Sequence, residues 1–413
     1  MRVAPWAREQ PGSRPARRSG VRLLRAAVLR LAVIGVGVVA TATGGVAGAD
    51  VGDDVRCRGR LPRALRGVVL AEPRWETLPP GPVDERVLPS VIWTGREVVV
   101  WGGEEGSEGP RQSTGAAYDP ARRRWRRIAD APIDARSHHV AVWTGVEMIV
   151  AAGSNPDDPS VDAGAYDPRR DSWRRLPRAP ILGTGQATAV WTGEEMVVWT
   201  GSGNAGAAYD PCRDRWRRIA PSPLEPRFGA TAVWTGEEMI VYGGTRGSNL
   251  PFVDGAAYDP GRNTWRELTR PRLPRLYRHV SVWTGREMLV WGPVLEVLGT
   301  KTALAAYQPR SDRWRALPAA PLLPPPECEC NGGQTGIQAG SMLIIWSGSL
   351  DSAGPLALTF APRPDEWTRL PVAPSGAEER FGRFYPAMAW TGNEVVLVGA
   401  GPSGEGLALV LRQ

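Results

Sequence analysis

Short apolar runs separated by polar turns occupy most of this chain, and one order of residues recurs along it. A clear copy begins at Ala232 with a run that ends in Trp-Thr-Gly, passes through Met239–Tyr242 and Gly243-Gly244, and closes with Ala-Ala-Tyr-Asp-Pro and Trp265. Apolar runs of this length between Gly, Pro, Asp and Thr are typical of short β-strands. Each copy therefore predicts four strands joined by tight turns.

Two residues mark the copies along the chain. The glycine after the first apolar run stands at Gly95, Gly145, Gly193, Gly236, Gly285, Gly340 and Gly392. The closing tryptophan stands at Trp75, Trp125, Trp173, Trp216, Trp265, Trp314 and Trp367, in steps of 50, 48, 43, 49, 49 and 53 residues. Four antiparallel strands in a repeat of this length predict one blade of a β-propeller.

The two ends of the chain complete one blade between them. Trp75 belongs to a closing strand with no three strands before it, whereas the residues from Ala389 onward supply three strands and no closing strand. Joining these parts removes the exposed edges that an open ring would leave. The sequence thus predicts an all-β fold: a seven-bladed β-propeller of four-stranded antiparallel blades, closed by pairing the N-terminal strand with the C-terminal three strands.

A glycine doublet follows the second apolar run of the repeat. It is intact at Gly102-Gly103 and Gly243-Gly244, and a Tyr and the closing Trp stand at nearly fixed distances after it. This pattern resembles the Kelch repeat, and the resemblance covers roughly residues 67 to 413. Kelch-like propellers include galactose oxidase, sialate mutarotases and protein-binding modules. The resemblance therefore implies the fold and leaves both binding and enzymatic functions open.

Charge separates the first 49 residues from the rest. The chain has 50 Lys and Arg and 43 Asp and Glu, with a formal net charge of +7. Residues 1–49 hold eight of the basic side chains and one of the acidic ones, which leaves 42 of each sign in the remainder. The part of the chain after residue 49 thus has no net charge and does not attract phosphate over a Debye length, so we expect no nucleic-acid partner.

The first 49 residues have the layout of an export signal. An Arg-rich start precedes an uncharged stretch over residues 31–49 that ends in Ala-Gly-Ala, as in a signal peptide with its cleavage site. The stretch is 19 residues long, so an uncleaved anchor is the alternative. We expect a signal peptide or N-terminal membrane anchor over residues 1–49, and in the second case residues 26–49 would form the membrane tether. A linker over 50–66 and the propeller over 67–413 would follow. The protein would be secreted or extracytoplasmic, or membrane-anchored with the propeller outside the cytoplasm.

Candidate catalytic residues are few. A copper site similar to that of galactose oxidase needs two His and two Tyr, and this chain has three His, of which His139 and His279 both stand four residues before a Trp-Thr-Gly. Their equivalent places in the repeat favour a structural role. Neither a Gly-x-Ser-x-Gly elbow nor a His-Glu-x-x-His pair occurs. We therefore expect no catalytic residues, no metal and no cofactor.

Acidic residues also follow the repeat. Six glutamates each stand two residues after a repeat glycine, at Glu97, Glu147, Glu195, Glu238, Glu287 and Glu394. A catalytic carboxyl pair needs two unlike environments, so residues at one repeated position are expected to support turns or strand edges. Asp157, Asp158 and Asp162 lack EF-hand spacing, and we expect a solvated loop there.

Four cysteines, Cys57, Cys212, Cys328 and Cys330, would meet an oxidising compartment after export. They allow three fully paired connectivities. A bridge between Cys328 and Cys330 would be strained, so we expect Cys57 to pair with one of them. Cys212 is expected in a hairpin turn, outside this pairing.

A set of arginines stands where the chain enters the first strand of a blade, seven residues before the repeat Trp. Its members are Arg86, Arg136, Arg227 and Arg383, and another copy has Arg275 and Arg278 nearby. Guanidinium groups that converge around a propeller axis could bind carboxylates. The alternative is that each pairs with an acidic residue or with loop carbonyls of the propeller itself.

Together these observations favour a non-catalytic extracytoplasmic binding or scaffold propeller. Its ligand would be a protein or an acidic glycan at the face around the axis, and we expect a monomer. One alternative is an isomerase or lyase that acts on an acidic sugar, similar to sialate mutarotases. Another is a purely structural protein of the cell envelope.

Overall fold

The computed structural model describes residues 71–82, 86–105, 109–153, 162–181, 187–201, 205–246, 250–295, 301–321, 334–347, 356–374, 386–398 and 406–412. The expected leader and tether over 1–49 and the linker over 50–66 lie outside these ranges. Regular secondary structure within the ranges is β-strand. No helix in this described part is long and apolar enough to cross a membrane.

The strands form seven four-stranded antiparallel sheets, the blades. Blade 1 consists of β2 (Ser90–Trp93), β3 (Val98–Trp101), β4 (Gly115–Asp119) and β5 (Arg124–Arg127). Blade 2 consists of β6 (Val140–Trp143), β7 (Met148–Ala151), β8 (Ala163–Asp167) and β9 (Ser172–Leu176). Blade 3 consists of β10 (Thr188–Trp191), β11 (Met196–Trp199), β12 (Gly206–Asp210) and β13 (Arg215–Arg218).

The other blades follow the same order. Blade 4 consists of β14 (Thr231–Trp234), β15 (Met239–Tyr242), β18 (Gly255–Asp259) and β19 (Thr264–Glu267), with a two-stranded extension, β16 (Thr245–Arg246) and β17 (Leu250–Pro251), between its second and third strands. Blade 5 consists of β20 (Val280–Trp283), β21 (Met288–Pro293), β22 (Thr302–Gln308) and β23 (Arg313–Leu317). Blade 6 consists of β24 (Gln334–Ala339), β25 (Met342–Ser347), β26 (Leu356–Ala361) and β27 (Glu366–Arg369). Blade 7 consists of β28 (Ala387–Trp390), β29 (Glu394–Val398), β30 (Leu407–Arg412) and β1 (Ala71–Thr77).

The sheet of blade 7 joins the two ends of the chain. Its order is β1-β30-β29-β28, and Trp75 stands opposite Leu409 in the antiparallel pair of β1 and β30. The predicted seven-bladed propeller, closed by the N-terminal strand, is therefore confirmed.

The first hairpin of each blade is built from local sequence. In blade 4, Gly236 has φ of +101°, and the Thr235 hydroxyl accepts the backbone N–H of Glu238 at 2.8 Å. A φ in this range is strained for a residue with a side chain, so Thr-Gly specifies the turn. Strand β15, which follows, is fully buried.

The first strands of neighbouring blades contact one another around the complete ring, so they are the innermost strands. Because each blade is antiparallel, its two hairpins lie at one end, and we call that side the hairpin face. The chain between second and third strands and the connection from blade to blade lie at the other end, the loop face.

The hydrophobic core lies between the blades. Seven apolar clusters occur, one at each contact between neighbours. At the contact of blades 3 and 4, Val190 and Met239 belong to one cluster, and at the closing contact Val396 of blade 7 shares a cluster with Val91 of blade 1. A strand that is buried on both faces has a continuous apolar sequence. This explains the apolar sequences of the second strands, which lie between two neighbouring blades.

Every closing tryptophan also joins two blades. Its indole N–H donates to a backbone carbonyl of the preceding blade's connection at 2.7 to 3.0 Å. The pairs are Trp75 to Pro371, Trp125 to Pro79, Trp173 to Ala129, Trp216 to Pro177, Trp265 to Ala220, Trp314 to Thr269 and Trp367 to Pro318. The pair at Trp75 shows that the chain ends close the ring with the same contact as the other blades.

Candidate functional site

A repeated ion-pair network joins neighbouring blades on the hairpin face. Arg174 of blade 2 donates to the two oxygens of Glu147 at 3.1 and 2.8 Å and to the Tyr209 hydroxyl of blade 3 at 3.2 Å. The Tyr209 hydroxyl donates to Asp214 at 2.5 Å. We call this set a bracket: the Glu of a first hairpin, the Arg after the closing Trp, and the Tyr and Asp of the next blade.

Brackets occur at five consecutive contacts. Their ion pairs are Glu97 with Arg126, Glu147 with Arg174, Glu195 with Arg217, Glu238 with Arg266, and Glu287 with Arg315. In the third, Asn263 replaces the Asp, and in the fifth, Phe360 replaces the Tyr and Arg315 reaches Asp365 at 3.0 Å. The structural role predicted for the repeated glutamates is confirmed for these five.

The two equivalent histidines fill space beside the glycine doublets. His279 is buried, and its Nε2 lies 3.1 Å from the Tyr242 carbonyl and 2.9 Å from the Thr231 hydroxyl. A Cβ on Gly243 would overlap the His279 ring, and one on Gly102 would overlap the His139 ring. Burial lowers the pKa of His279 to about 4 and that of His139 to about 3, so both rings are neutral at neutral pH. The hydrogen bonds of His279 are those of the structural role expected for it, whereas the buried His139 ring packs 5.0 Å from the Trp101 ring, centre to centre, and its nitrogens have no hydrogen-bond partner among the described residues.

The predicted arginine at blade 4, Arg227, is 1% exposed. It donates to the Gly243 carbonyl at 3.2 Å and to the Asp254 carboxylate at 2.6 Å, and its guanidinium carbon lies 4.0 Å from the centre of the Phe252 ring. The side chain therefore ties the entry to the first strand to the chain that leaves the second strand.

Arg86 and Arg136 are also buried and make the same kind of contact. Arg86 donates to the carbonyls of Gly102 at 3.2 Å and Thr114 at 2.9 Å. Arg136 donates to the carbonyls of Ala152 at 3.1 Å and Asp162 at 2.9 Å, and it also pairs with the Asp162 carboxylate. These are the contacts of the structural alternative, and ligand binding by these arginines stays a prediction.

Several predictions fall outside the described residues. They concern Arg383, Cys57, Cys328, Cys330, Asp157 and Asp158. Cys212 lies exposed in the predicted hairpin turn, where its backbone N–H donates to Asp210 at 2.9 Å. Asp162 is buried rather than solvated, because it pairs with Arg136. Within the described ranges, no group of three or more His, Cys, Asp or Glu could hold a metal.

The loop face differs from blade to blade around the axis. In blades 1, 2, 4 and 5 the residue two positions before the first strand has a positive φ. These residues are Leu88 (58°), His138 (56°), Gly229 (64°) and Arg278 (49°). One backbone conformation thus presents four different residues, which we call the axial rim. Burial and the positive charge of Arg111 lower the pKa of His138 to about 4, so at neutral pH this rim position is uncharged.

The connection from blade 4 to blade 5, residues 268–279, is the most basic part of the loop face. It contains Arg270, Arg272, Arg275 and Arg278 and no acidic residue. The Arg270 side chain is 75% exposed, and Arg272 and Arg275 are exposed. Buried Leu276 and the hydrogen bond from Leu295 N–H to the Arg275 carbonyl at 2.8 Å hold its backbone. We call residues 268–279 the basic connection.

Apolar side chains are exposed on the loop face of blade 4, whose entry neighbours the entry of blade 5. Phe228 is 37% exposed, and Leu250 of the blade 4 extension is 56% exposed. Phe228 pairs with Thr245 of β16 through backbone hydrogen bonds of 2.9 and 2.7 Å. Thr231, three residues after Phe228, lies within 2.9 Å of His279, so the entries to blades 4 and 5 are neighbours. Basic and apolar groups therefore occur together on this side of the loop face.

The fold and these surfaces define a seven-bladed β-propeller with a regular hairpin face and a varied loop face. No protein-family model matches the chain. No curated protein matches it either.

The basic connection could have been found from the sequence, because its four arginines stand without an intervening acid. The repeat position drew attention instead to Arg86 and its equivalents. A repeat shows which residues are equivalent, and it does not show whether their side chains turn into the blade or out to solvent. Arg275 and Arg278 stand near the repeat position of Arg86, Arg136 and Arg227, although Arg275 is exposed whereas those three are buried.

Proposed function

We propose that this chain is an exported Kelch-type propeller that acts as a non-catalytic binding or scaffold module. We propose further that its loop face at blades 4 and 5 binds an acidic segment of a protein partner. The observation that carries the proposal is the basic connection beside exposed Phe228 and Leu250.

Charge and apolar contact point to the chemistry of the partner. The basic connection carries four arginines, of which Arg270 lies 3.9 Å from the Asp254 carboxylate, and guanidinium groups bind carboxylates through two parallel hydrogen bonds. Exposed Phe228 and Leu250 offer apolar contact, and an aromatic residue is a common anchor of protein interfaces. An acidic peptide that also carries apolar side chains matches both features, whereas an acidic glycan matches the charge alone.

A scaffold role is supported by how the propeller uses its titratable groups. Five of the six repeated glutamates, the buried histidines and the described members of the predicted arginine set contact blade residues. A rigid frame with a varied rim is typical of recognition surfaces, in which changes of side chain alter the ligand and leave the fold intact. Action outside the cytoplasm is supported by the Arg-rich, small-residue leader over 1–49.

Binding measurements on two charge-matched variants test the proposal. The first variant is Arg272→Glu/Arg275→Glu on the basic connection. The control is Arg286→Glu/Arg310→Glu, which makes the same charge change at exposed positions on the hairpin face of blade 5. The probes are a Glu-rich peptide with interspersed Leu and Phe, and polygalacturonate, a polymer of acidic sugar.

We expect calorimetry to show that the peptide loses at least about tenfold in affinity in the first variant and little in the control. Equal losses in both variants would show that only net charge matters and would contradict the proposed site. Tighter binding of polygalacturonate than of the peptide would replace the protein partner with an acidic glycan. Chemical turnover of the sugar polymer would instead support the isomerase or lyase alternative.

A further inference from the structure

The contact that closes the ring, between blades 7 and 1, carries the bracket positions in a different charge order. Glu76 follows the closing tryptophan, where the brackets have Arg. Arg123 of blade 1 stands where the brackets have Asp or Asn. Glu394 and Tyr118 keep the Glu and Tyr positions of the bracket. We call this set of four residues the seam.

The two exchanged residues pair with each other. Arg123 forms an ion pair with Glu76, and its Nη2 donates to the Thr77 carbonyl at 3.3 Å. Arg74 donates to the other Glu76 oxygen at 2.8 and 2.6 Å. Both oxygens of Glu76 are therefore occupied, and these contacts hold the pKa of Glu76 below its usual value.

The two retained residues have no such partner. Tyr118 is fully buried, and its hydroxyl has no hydrogen-bond partner among the described residues. No described side chain donates a hydrogen bond to the Glu394 carboxylate or forms an ion pair with it; the hydrogen bonds of Glu394 with Thr391 are made by its backbone. Burial and the charge of Glu76 raise the pKa of Glu394, and they outweigh the charge of Arg123, which lowers it. Glu394 and Tyr118 hold the Glu and Tyr positions of a bracket at the contact of blades 7 and 1. Burial and the charge of Glu394 raise the pKa of Tyr118 to about 12, although the charge of Arg123 acts in the opposite direction.

The brackets show what these two groups bind elsewhere in the molecule. In four brackets one guanidinium donates through Nε and Nη2 to a Glu at 2.5 to 3.1 Å and through Nη1 to a Tyr hydroxyl at 3.1 to 3.3 Å. The seam keeps the two groups that accept these hydrogen bonds, the Glu carboxylate and the Tyr hydroxyl. Its strand β1 supplies Glu76 instead of the guanidinium.

We propose that the seam is a binding site for an external guanidinium group, held by the Glu394 carboxylate and the Tyr118 hydroxyl. The planar guanidinium matches a carboxylate through two parallel hydrogen bonds, and a partly buried carboxylate such as Glu394 is destabilising until such a partner is present. The group can come from a small guanidinium compound or from an arginine side chain of a peptide. The seam lies on the hairpin face, so this site is independent of the binding proposed for the loop face.

Thermal unfolding of the full chain with added cations tests the site. The probes are guanidinium chloride and acetyl-arginine methylamide at low millimolar concentration, with sodium chloride at the same ionic strength as the control. We expect both guanidinium compounds to raise Tm saturably, by about 1 °C or more, and sodium chloride to have no comparable effect. A lower half-saturation for the arginine derivative indicates a peptide source, and the reverse indicates a small molecule.

Three variants locate the effect. Glu394→Gln should abolish the rise, and Glu194→Gln, an exposed first-hairpin position in blade 3, should retain it. The double variant Glu76→Arg/Arg123→Asp rebuilds the bracket within the chain. It should have a higher Tm without any additive and no response to guanidinium.

Two results would overturn the proposal. One is the absence of a saturable rise, or a rise of the same size in Glu394→Gln. The other is a Tm that rises only on acidification towards pH 5, with no guanidinium response. In that case protonation of Glu394, which lies among Glu76, Arg74, Arg123 and Asp119, would by itself remove the unfavourable negative charge from the seam, and no ligand would be needed.

Discussion

Replacing Arg174 with Met tests whether the brackets hold neighbouring blades together, because it removes one guanidinium and keeps the aliphatic stem. The Glu147 side chain is 10% exposed, and its two oxygens lose donors at 3.1 and 2.8 Å. Breaking a buried ion pair costs about 3 to 5 kcal/mol. The Arg174 side chain is 29% exposed, so water can reach the carboxylate, and we expect a loss of about 2 to 3 kcal/mol. In a domain of this size, that corresponds to a fall in Tm of about 2 to 6 °C, measurable by calorimetry.

Arg170→Met is the matched control for this experiment. Arg170 pairs with Asp167 at 2.9 Å within the same hairpin, but its side chain is 64% exposed. Surface pairs of this kind contribute at most about 0.5 to 1 kcal/mol, so Tm should change little. Removing the carboxylate as well, in Glu147→Gln/Arg174→Met, should recover part of the loss. Equal falls in Tm for Arg174→Met and Arg170→Met would refute the reasoning.

Three further predictions concern the frame of the propeller. Gly102→Ala should lower Tm clearly more than Gly95→Ala, because the new Cβ would overlap the histidine of the next blade, whereas Gly95 has no atom within 4 Å of a Cβ; equal Tm values would contradict this. Burial lowers the pKa of His279 to about 4, so between pH 6.5 and 4 the unfolded chain binds a proton that the folded chain does not, and stability falls as pH falls. Its contribution is up to about 1.4 kcal/mol per pH unit, and urea titrations at pH 7 and pH 5 should show a smaller pH dependence in His279→Gln than in the native chain. Arg227→Met should lower Tm, while the affinity of the folded protein for the acidic peptide should stay within about twofold of the native value. A large loss of affinity without a fall in Tm would instead indicate that Arg227 binds the ligand.

Blade number and ring closure could be predicted because strand and turn signals are local. Trp-Thr-Gly specifies a hairpin through its own hydroxyl and positive φ, as Thr235 and Gly236 show. The count follows from repeating that local unit. The sequence has one strand of a blade near its start and three near its end, and joining them in one sheet leaves no exposed edge. The pairing of β1 with β30 confirms this prediction.

The side-chain networks could not be predicted in the same way, because they join residues of different repeats. Arg174 meets Tyr209 across 35 positions of sequence, and a repeat pattern does not show which neighbour a side chain reaches. A signal was present, since an Arg follows the closing Trp at the five bracket positions. Glu76 is the acidic residue at this position, and its effect on the contact of blades 7 and 1 depends on the geometry of the bracket. Likewise, burial of Arg227 depends on contacts with Asp254 and the Gly243 carbonyl that are set by the fold.

Hydrogen exchange with and without the acidic, Leu- and Phe-containing peptide tests most directly the binding site proposed on the loop face of blades 4 and 5. We expect slower exchange on peptide addition in the basic connection, residues 268–279, and around Phe228. We expect no change in the hairpins around Arg286 and Arg310, which lie in blade 5 on the opposite face. Protection confined to those hairpins, or spread evenly over all seven blades, would contradict a binding site on the loop face of blades 4 and 5.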